Sequence, residues 1–155
     1  IDEKYFSLGI TNAQWPARMQ NLSNSPYGKM LPKGSELWLD GGHNPAAGQA
    51  IYEVFKEEKI ILVCGMMENK DIRGYLSQLS FITCTLYGVH VDGEASYSGK
   101  AIAKLAISLG IDAKSEKSVK EALADITSEN PIKVLICGSL YLAGQVLDDN
   151  NLIPD

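Results

Sequence analysis

A repeated change of hydrophobic rhythm constrains this chain more than any other feature. From residue 36 onward, short apolar runs alternate with stretches whose apolar residues recur at helical spacing. "KIILVCG" (59–65) and "IKVLICG" (132–138) are continuous apolar runs, as suits strands buried on both faces. "ELWLD" (36–40) and the β-branched and aromatic "FITCTLYGVHV" (81–91) also read as strands. Between them, 45–57 carries Ala47, Ala50, Ile51 and Val54 at helical spacing, and 71–80 carries Ile72, Tyr75, Leu76 and Leu79. Residues 98–109 carry Ile102, Leu105, Ala106 and Leu109 in the same way. Ser118 and Glu121 stand at capping-box spacing, opening a helix with Val119, Ala122, Leu123 and Ile126 facing in. "SLYLAGQVL" (139–147) closes the series with Leu140, Ala143, Gly144 and Leu147 on one side.

Strands that alternate with amphipathic helices are βαβ units, so the expected fold is α/β: a mostly parallel, Rossmann-like sheet flanked by helices. "ARMQNL" (17–22) predicts a short strand pairing antiparallel with 36–40, an N-terminal ribbon at the sheet edge. The Ser-, Pro- and Gly-rich segment 23–35 between them is a loop, and residues 1–16 give no assignment. The chain has 155 residues with no repeat or long linker, which predicts a single domain over 1–155. Its opening on Ile1 predicts a piece cut or processed from a longer chain.

Charge and cysteine use narrow the partners and the compartment. The net charge of −5 gives no basic surface, so neither nucleic acid nor an anionic membrane is expected as a partner. Cys64, Cys84 and Cys137 are odd in number and lie in strand-like runs, which predicts buried free thiols in a reducing compartment, hence the cytoplasm. No apolar stretch approaches the roughly 20 residues of a membrane helix.

Ligands of such sheets sit beyond the carboxyl ends of the strands. Three corners of this chain belong there: 40–45, 65–71 and 138–141. At the first, Asp40 ends a strand, where a carboxylate can either bond loop amides or accept from a ribose diol. Gly41 and Gly42 permit close backbone approach. Asn44 suits the cap of a helix that Pro45 begins, and His43 is a surface or capping residue by local pattern. An Asp–His pair without a G-x-S-x-G elbow makes a poor hydrolase. At the second corner, Lys70 can meet an anion while Asp71 caps the next helix. At the third, Ser139 is an N-cap, and the free amides it precedes suit a carboxylate or phosphate. Arg18, in "WPARMQ" (15–20), carries a fork that fits phosphate oxygens, although an exposed Arg at a strand start is the blander reading.

Two look-alikes drop out. "GEASYSGKA" (93–101) has five residues between Gly93 and Gly99 and ends on Ala101, so both the spacing and the metal-binding hydroxyl of a phosphate loop are missing. No G-x-G-x-x-G occurs, so a nicotinamide oxidoreductase has no fingerprint. His43 and His90 cannot build a zinc site by themselves, and no metal ligand is assigned.

Taken in order, "WPARMQ", "LDGGHNP", "GMMENKD" and "GSLYLAG" resemble the C-terminal domain of folylpolyglutamate synthase/dihydrofolate synthase, of the ATP-dependent Mur-ligase superfamily. The resemblance covers about residues 10–147, and D-G-x-H-N-P together with G-S-L-Y is its most specific part. Ala17 stands where the family usually has Gly, Gly42 where it has Ala, and Asn69 where it has Asp. The first two exchanges keep residues small, so close packing is expected to survive. The resemblance implies that ATP phosphorylates a carboxylate of a pteroyl substrate and that the amine of L-glutamate displaces the phosphate. It implies Arg18 and Asp40 as ATP ligands and His43 and Ser139 as glutamate ligands. Gly41, Gly42, Asn44, Lys70 and Asp71 would be supporting positions. It also implies an N-terminal domain, absent here, with the phosphate loop, much of the folate site and most of the contacts to Mg2+. The isolated piece is then expected to show no turnover. A Mur-type ligase half acting on a cell-wall precursor, or a non-catalytic binding domain of the same fold, are the alternatives.

Overall fold

The computed structural model describes residues 17–152. Trp15 and Pro16 of the first motif lie outside the described residues. Six strands form one sheet: β1 (Gln20–Asn21), β2 (Glu36–Asp40), β3 (Ile60–Cys64), β4 (Thr83–Gly88), β5 (Ala113–Ser115) and β6 (Lys133–Cys137). Their spatial order is β1-β2-β6-β3-β4-β5, parallel throughout except for β1, which runs antiparallel to β2. Five helices connect or follow them: α1 (Pro45–Phe55), α2 (Ile72–Leu79), α3 (Gly99–Ser108), α4 (Val119–Asp125) and α5 (Leu140–Asp149).

Period-two alternation in the central strands sorts their side chains onto two cores. Leu37, Leu39, Val63, Val134 and Ile136 face one of them, together with Leu123 of α4 and Leu142, Val146 and Leu147 of α5. Leu62, Cys64, Leu135 and Cys137 face the other, with Ile51 and Phe55 of α1, Leu76 of α2 and Ile102 of α3. So α1, α2 and α3 cover one face of the sheet, and α4 and α5 the other. The consequence falls on β6, which sits between β2 and β3. Its helix leaves toward the face opposite to α1 and α2. That divergence makes a crevice at the carboxyl ends of β2 and β6, the switch point of the topology.

Several expectations need correction. The first strand is only two residues long, because Ala17 and Met19 have φ of 63° and 42°, which no strand contains. The edge strand β5 leaves no mark in the sequence, since three residues reading Ala-Lys-Ser carry no apolar pattern. The inward face of α1 is Gly48, Ile51 and Phe55, so Ala50 and Val54 of the expected stripe lie exposed. The buried side of α5 is Leu142, Ala143, Val146 and Leu147, whereas Leu140 and Gly144 are only half-buried. Cys64 and Cys137 are buried free thiols as expected, but Cys84 is exposed.

Candidate functional site

The switch-point crevice opens into a cleft of about 380 Å³ lined by Arg18, Met19, Asp40, Gly42, His43 and Leu140 among others, with Ala47, Ala50 and Val54 of α1 as one wall. Its floor is the end of β2. Asp40 terminates that strand and bonds the backbone on both sides: Oδ1 accepts from Gly42 N at 2.8 Å and Oδ2 from Met19 N at 3.1 Å. Burial pushes its carboxyl above the ordinary 3.8, while the Gly42 and Met19 amides and the Arg18 guanidinium pull the other way. Each oxygen retains a further lone pair, so a donor arriving in the cleft can still be accepted.

The segments on either side of Asp40 are sewn together. Gly41 N donates to Ala17 O at 2.6 Å, which fixes the Arg18 corner against the end of β2. A Cβ on Gly41 would lie 2.5 Å from Leu140 Cδ2, so the absence of a side chain lets α5 approach. One on Gly42 would lie 2.5 Å from Ala47 Cβ. The Gly at position 42 is therefore tightly fitted, and a methyl there would need the neighbour to shift. Asn44 caps α1 as expected, its Oδ1 accepting from Ala47 N at 2.8 Å, with Pro45 as the first helical residue. His43 lies half-buried on the same rim, Nδ1 standing 3.4 Å from Gly41 O.

The other two corners lie along the same strand edge but outside this cleft. Ser139 is 2% exposed, and its Oγ accepts from Tyr141 N at 3.0 Å and Leu142 N at 3.2 Å, capping α5. Its own proton points toward Met67 Sδ, 3.8 Å away. Asp71 caps α2, Oδ1 accepting from Gly74 N at 2.9 Å, and Lys70 precedes it half-buried. So Arg18, Asp40, Gly41, Gly42, His43 and Asn44 come together, while Ser139, Lys70 and Asp71 do not join them. The sequence reading missed the apolar wall of Ala47, Ala50 and Val54. Helical periodicity marks an apolar stripe without saying whether core or cleft lies opposite.

An α/β domain of the Rossmann-like kind, with an Arg, an Asp and a His on an open cleft at its switch point, belongs to the class that binds ligands beyond the strand ends. Residues 26–149 match the family model described as dihydrofolate synthetase, C-terminal domain, and the chain belongs to that family. Among curated relatives it is 29% identical over 156 residues to dihydrofolate synthase/folylpolyglutamate synthase of Escherichia coli K12, a match covering 96% of this chain and 33% of the relative. Among solved structures it is similar to E. coli FolC in complex with DHPP and ADP, with 26% identity, a TM-score of 0.69, and coverage of 92% of this chain and 33% of that one. The Yersinia pestis bifunctional folylpolyglutamate synthase/dihydrofolate synthase, complexed with AMPPNP and a Mn ion, gives 25% identity and a TM-score of 0.69 over 93% of this chain and 33% of that one. The chain spans about a third of the length of these relatives.

Proposed function

We propose that this chain is the C-terminal part of an ATP-dependent carboxylate–amine ligase that adds L-glutamate to dihydropteroate or folate through an acyl phosphate. Membership of the dihydrofolate synthetase C-terminal family supports the reaction class. The observation that carries the division of labour is the gathering of Arg18, Asp40 and His43 on one cleft. In this reading the Arg18 fork meets the phosphate oxygens of ATP, and Asp40 accepts from the ribose diol with its remaining lone pairs. His43 on the rim and the adjoining start of α5, where Leu140 lines the cleft, hold the incoming glutamate. The Ser139 hydroxyl already accepts from Tyr141 N and Leu142 N, so its contribution is to fix that helix start rather than to touch the ligand. Lys70 and Asp71 lie further along the edge and serve the contact with the N-terminal ATPase domain of the same polypeptide.

Among the described residues no group of three His, Cys, Asp or Glu could hold a metal ion. In this reading Mg2+ arrives with the nucleotide and is held by the rest of the polypeptide. What this chain supplies is positioning and charge neutralisation at the phosphates, together with one wall that shuts water away from an easily hydrolysed acyl phosphate. We place the enzyme in the cytoplasm, in keeping with free thiols, and no described helix is long and apolar enough to cross a membrane.

The test is alanine substitution at Arg18 and at Asp40 in the complete polypeptide, reading glutamate-dependent ADP release. Each is expected to lower kcat/KM for ATP by about a hundredfold or more, as the loss of a charged phosphate or diol contact should. Wild-type turnover in the Arg18→Ala enzyme would overturn the assignment.

A further inference from the structure

Arg18 stands at the apex of a corner strained on both sides. Ala17 and Met19 take φ of 63° and 42°, the left-handed region that side chains other than glycine, Asn and Asp rarely adopt. Such a conformation persists only where neighbouring bonds over-determine it. Two of those bonds come from the end of β2, Gly41 N to Ala17 O at 2.6 Å and Met19 N to Asp40 Oδ2 at 3.1 Å. The third comes from within the corner: Ala17 N donates to the side-chain Oε1 of Gln20 at 2.8 Å. Gln20 is itself anchored, since it opens β1 and pairs with Leu39 of β2. Ala17 is 4% exposed, so its N–H would be left without a good acceptor if that side chain were removed.

We propose that Gln20 is a positioning residue for nucleotide binding: its side-chain carbonyl locks the 17–20 corner and so sets where the Arg18 guanidinium meets the phosphates. The proposal rests on the reading of Arg18 as a phosphate ligand. The lock needs an acceptor at the end of a two-methylene stem and nothing else. A carboxylate of the same length therefore preserves it, and an isosteric thioether does not.

The experiment compares Gln20→Met, Gln20→Glu, Arg18→Ala and the Gln20→Met/Arg18→Ala double variant in the complete polypeptide, reading KM for ATP and kcat separately, with thermal unfolding as a control. Gln20→Met is expected to raise KM for ATP about five- to tenfold with kcat within about twofold, the size of one lost positioning bond. Gln20→Glu is expected to stay within about twofold of wild type, and the double variant to be no worse than Arg18→Ala alone. A loss in the double variant that multiplies the two single losses, or a Gln20→Glu enzyme as poor as Gln20→Met, overturns the positioning role while leaving the phosphate reading intact. An unchanged KM for ATP in Arg18→Ala overturns both.

Discussion

Asp40 ties two backbone segments together with one carboxylate, and its titration sets those bonds against its burial. Bonds to Met19 and Gly42 favour the charged form, yet burial outweighs them and lifts the folded value above 3.8. The folded protein then binds more protons at this site than the unfolded chain as pH rises from 3.8 toward the raised value. The contribution of Asp40 to stability therefore falls through that window and levels off above it. Urea unfolding across this range should show the wild-type-minus-Asp40→Asn difference declining with rising pH, and a difference that climbs instead would reject the burial argument. Tyr75 makes a second residue-scale case. Its ring is fully buried and its hydroxyl finds no hydrogen-bond partner among the described residues. Burial and the neighbouring Cys137 and Cys64 thiols push its ionisation well above the usual range, so it stays a neutral phenol. Removing an unsatisfied hydroxyl costs nothing in bonds, so Tyr75→Phe is expected to be neutral or stabilising by about 1 kcal/mol, read from the unfolding midpoint. The sequence placed an acid at the strand end and a Tyr on the inward face of α2. It held no sign that the acid bonds two backbone segments or that the hydroxyl lacks a partner.

At the scale of elements, two glycines decide how closely a helix can lie on the sheet. A Cβ on Gly99, the first residue of α3, would stand 2.4 Å from Gly88 O, and one on Gly88 would stand 2.3 Å from Gly99 O. The obstacle is backbone, which has little room to give. Gly99→Ala should cost about 2 kcal/mol or more, seen as a lower urea midpoint with an unchanged slope. Caps behave differently, because their partners are local. Asn44, Ser98, Asp71, Ser118 and Ser139 each accept from an amide two or three residues ahead. Asn44→Ala should cost about 1 kcal/mol, and because α1 forms one wall of the cleft it should also weaken nucleotide-dependent activity in the complete polypeptide. Caps at Asn44, Asp71, Ser118 and Ser139 could be read from sequence because capping acts over three residues of chain. The Gly88–Gly99 contact could not, since it depends on the distance between a strand and the helix that follows it.

For the molecule as a whole, the reversal of helix faces around β6 is what creates a site. Six strands in a simple progressive order would send successive helices to one face and leave no crevice between diverging connections. The described residues offer an open cleft at the switch point, which the proposed function makes one side of the nucleotide site, and no three-ligand metal cluster. Given ATP, Mg2+, dihydropteroate and L-glutamate, this chain alone is expected to release no ADP, and the complete polypeptide to release it. Measurable amide formation by the chain alone would refute that division. The sequence by itself determined the alternation of strands and helices, the parallel class of the sheet, most of the caps, and the residue types at the strand ends, because each follows from periodicity or from bonds a few residues long. Only the tertiary structure decided that Arg18, Asp40 and His43 share a cleft while Ser139 is sealed into a helix start, that α1 turns Ala50 and Val54 outward, and that Gln20 reaches back to Ala17 across a strained corner. Those outcomes depend on strand order and on left-handed backbone angles, which arise from packing between segments far apart in the chain and leave no periodic trace along it.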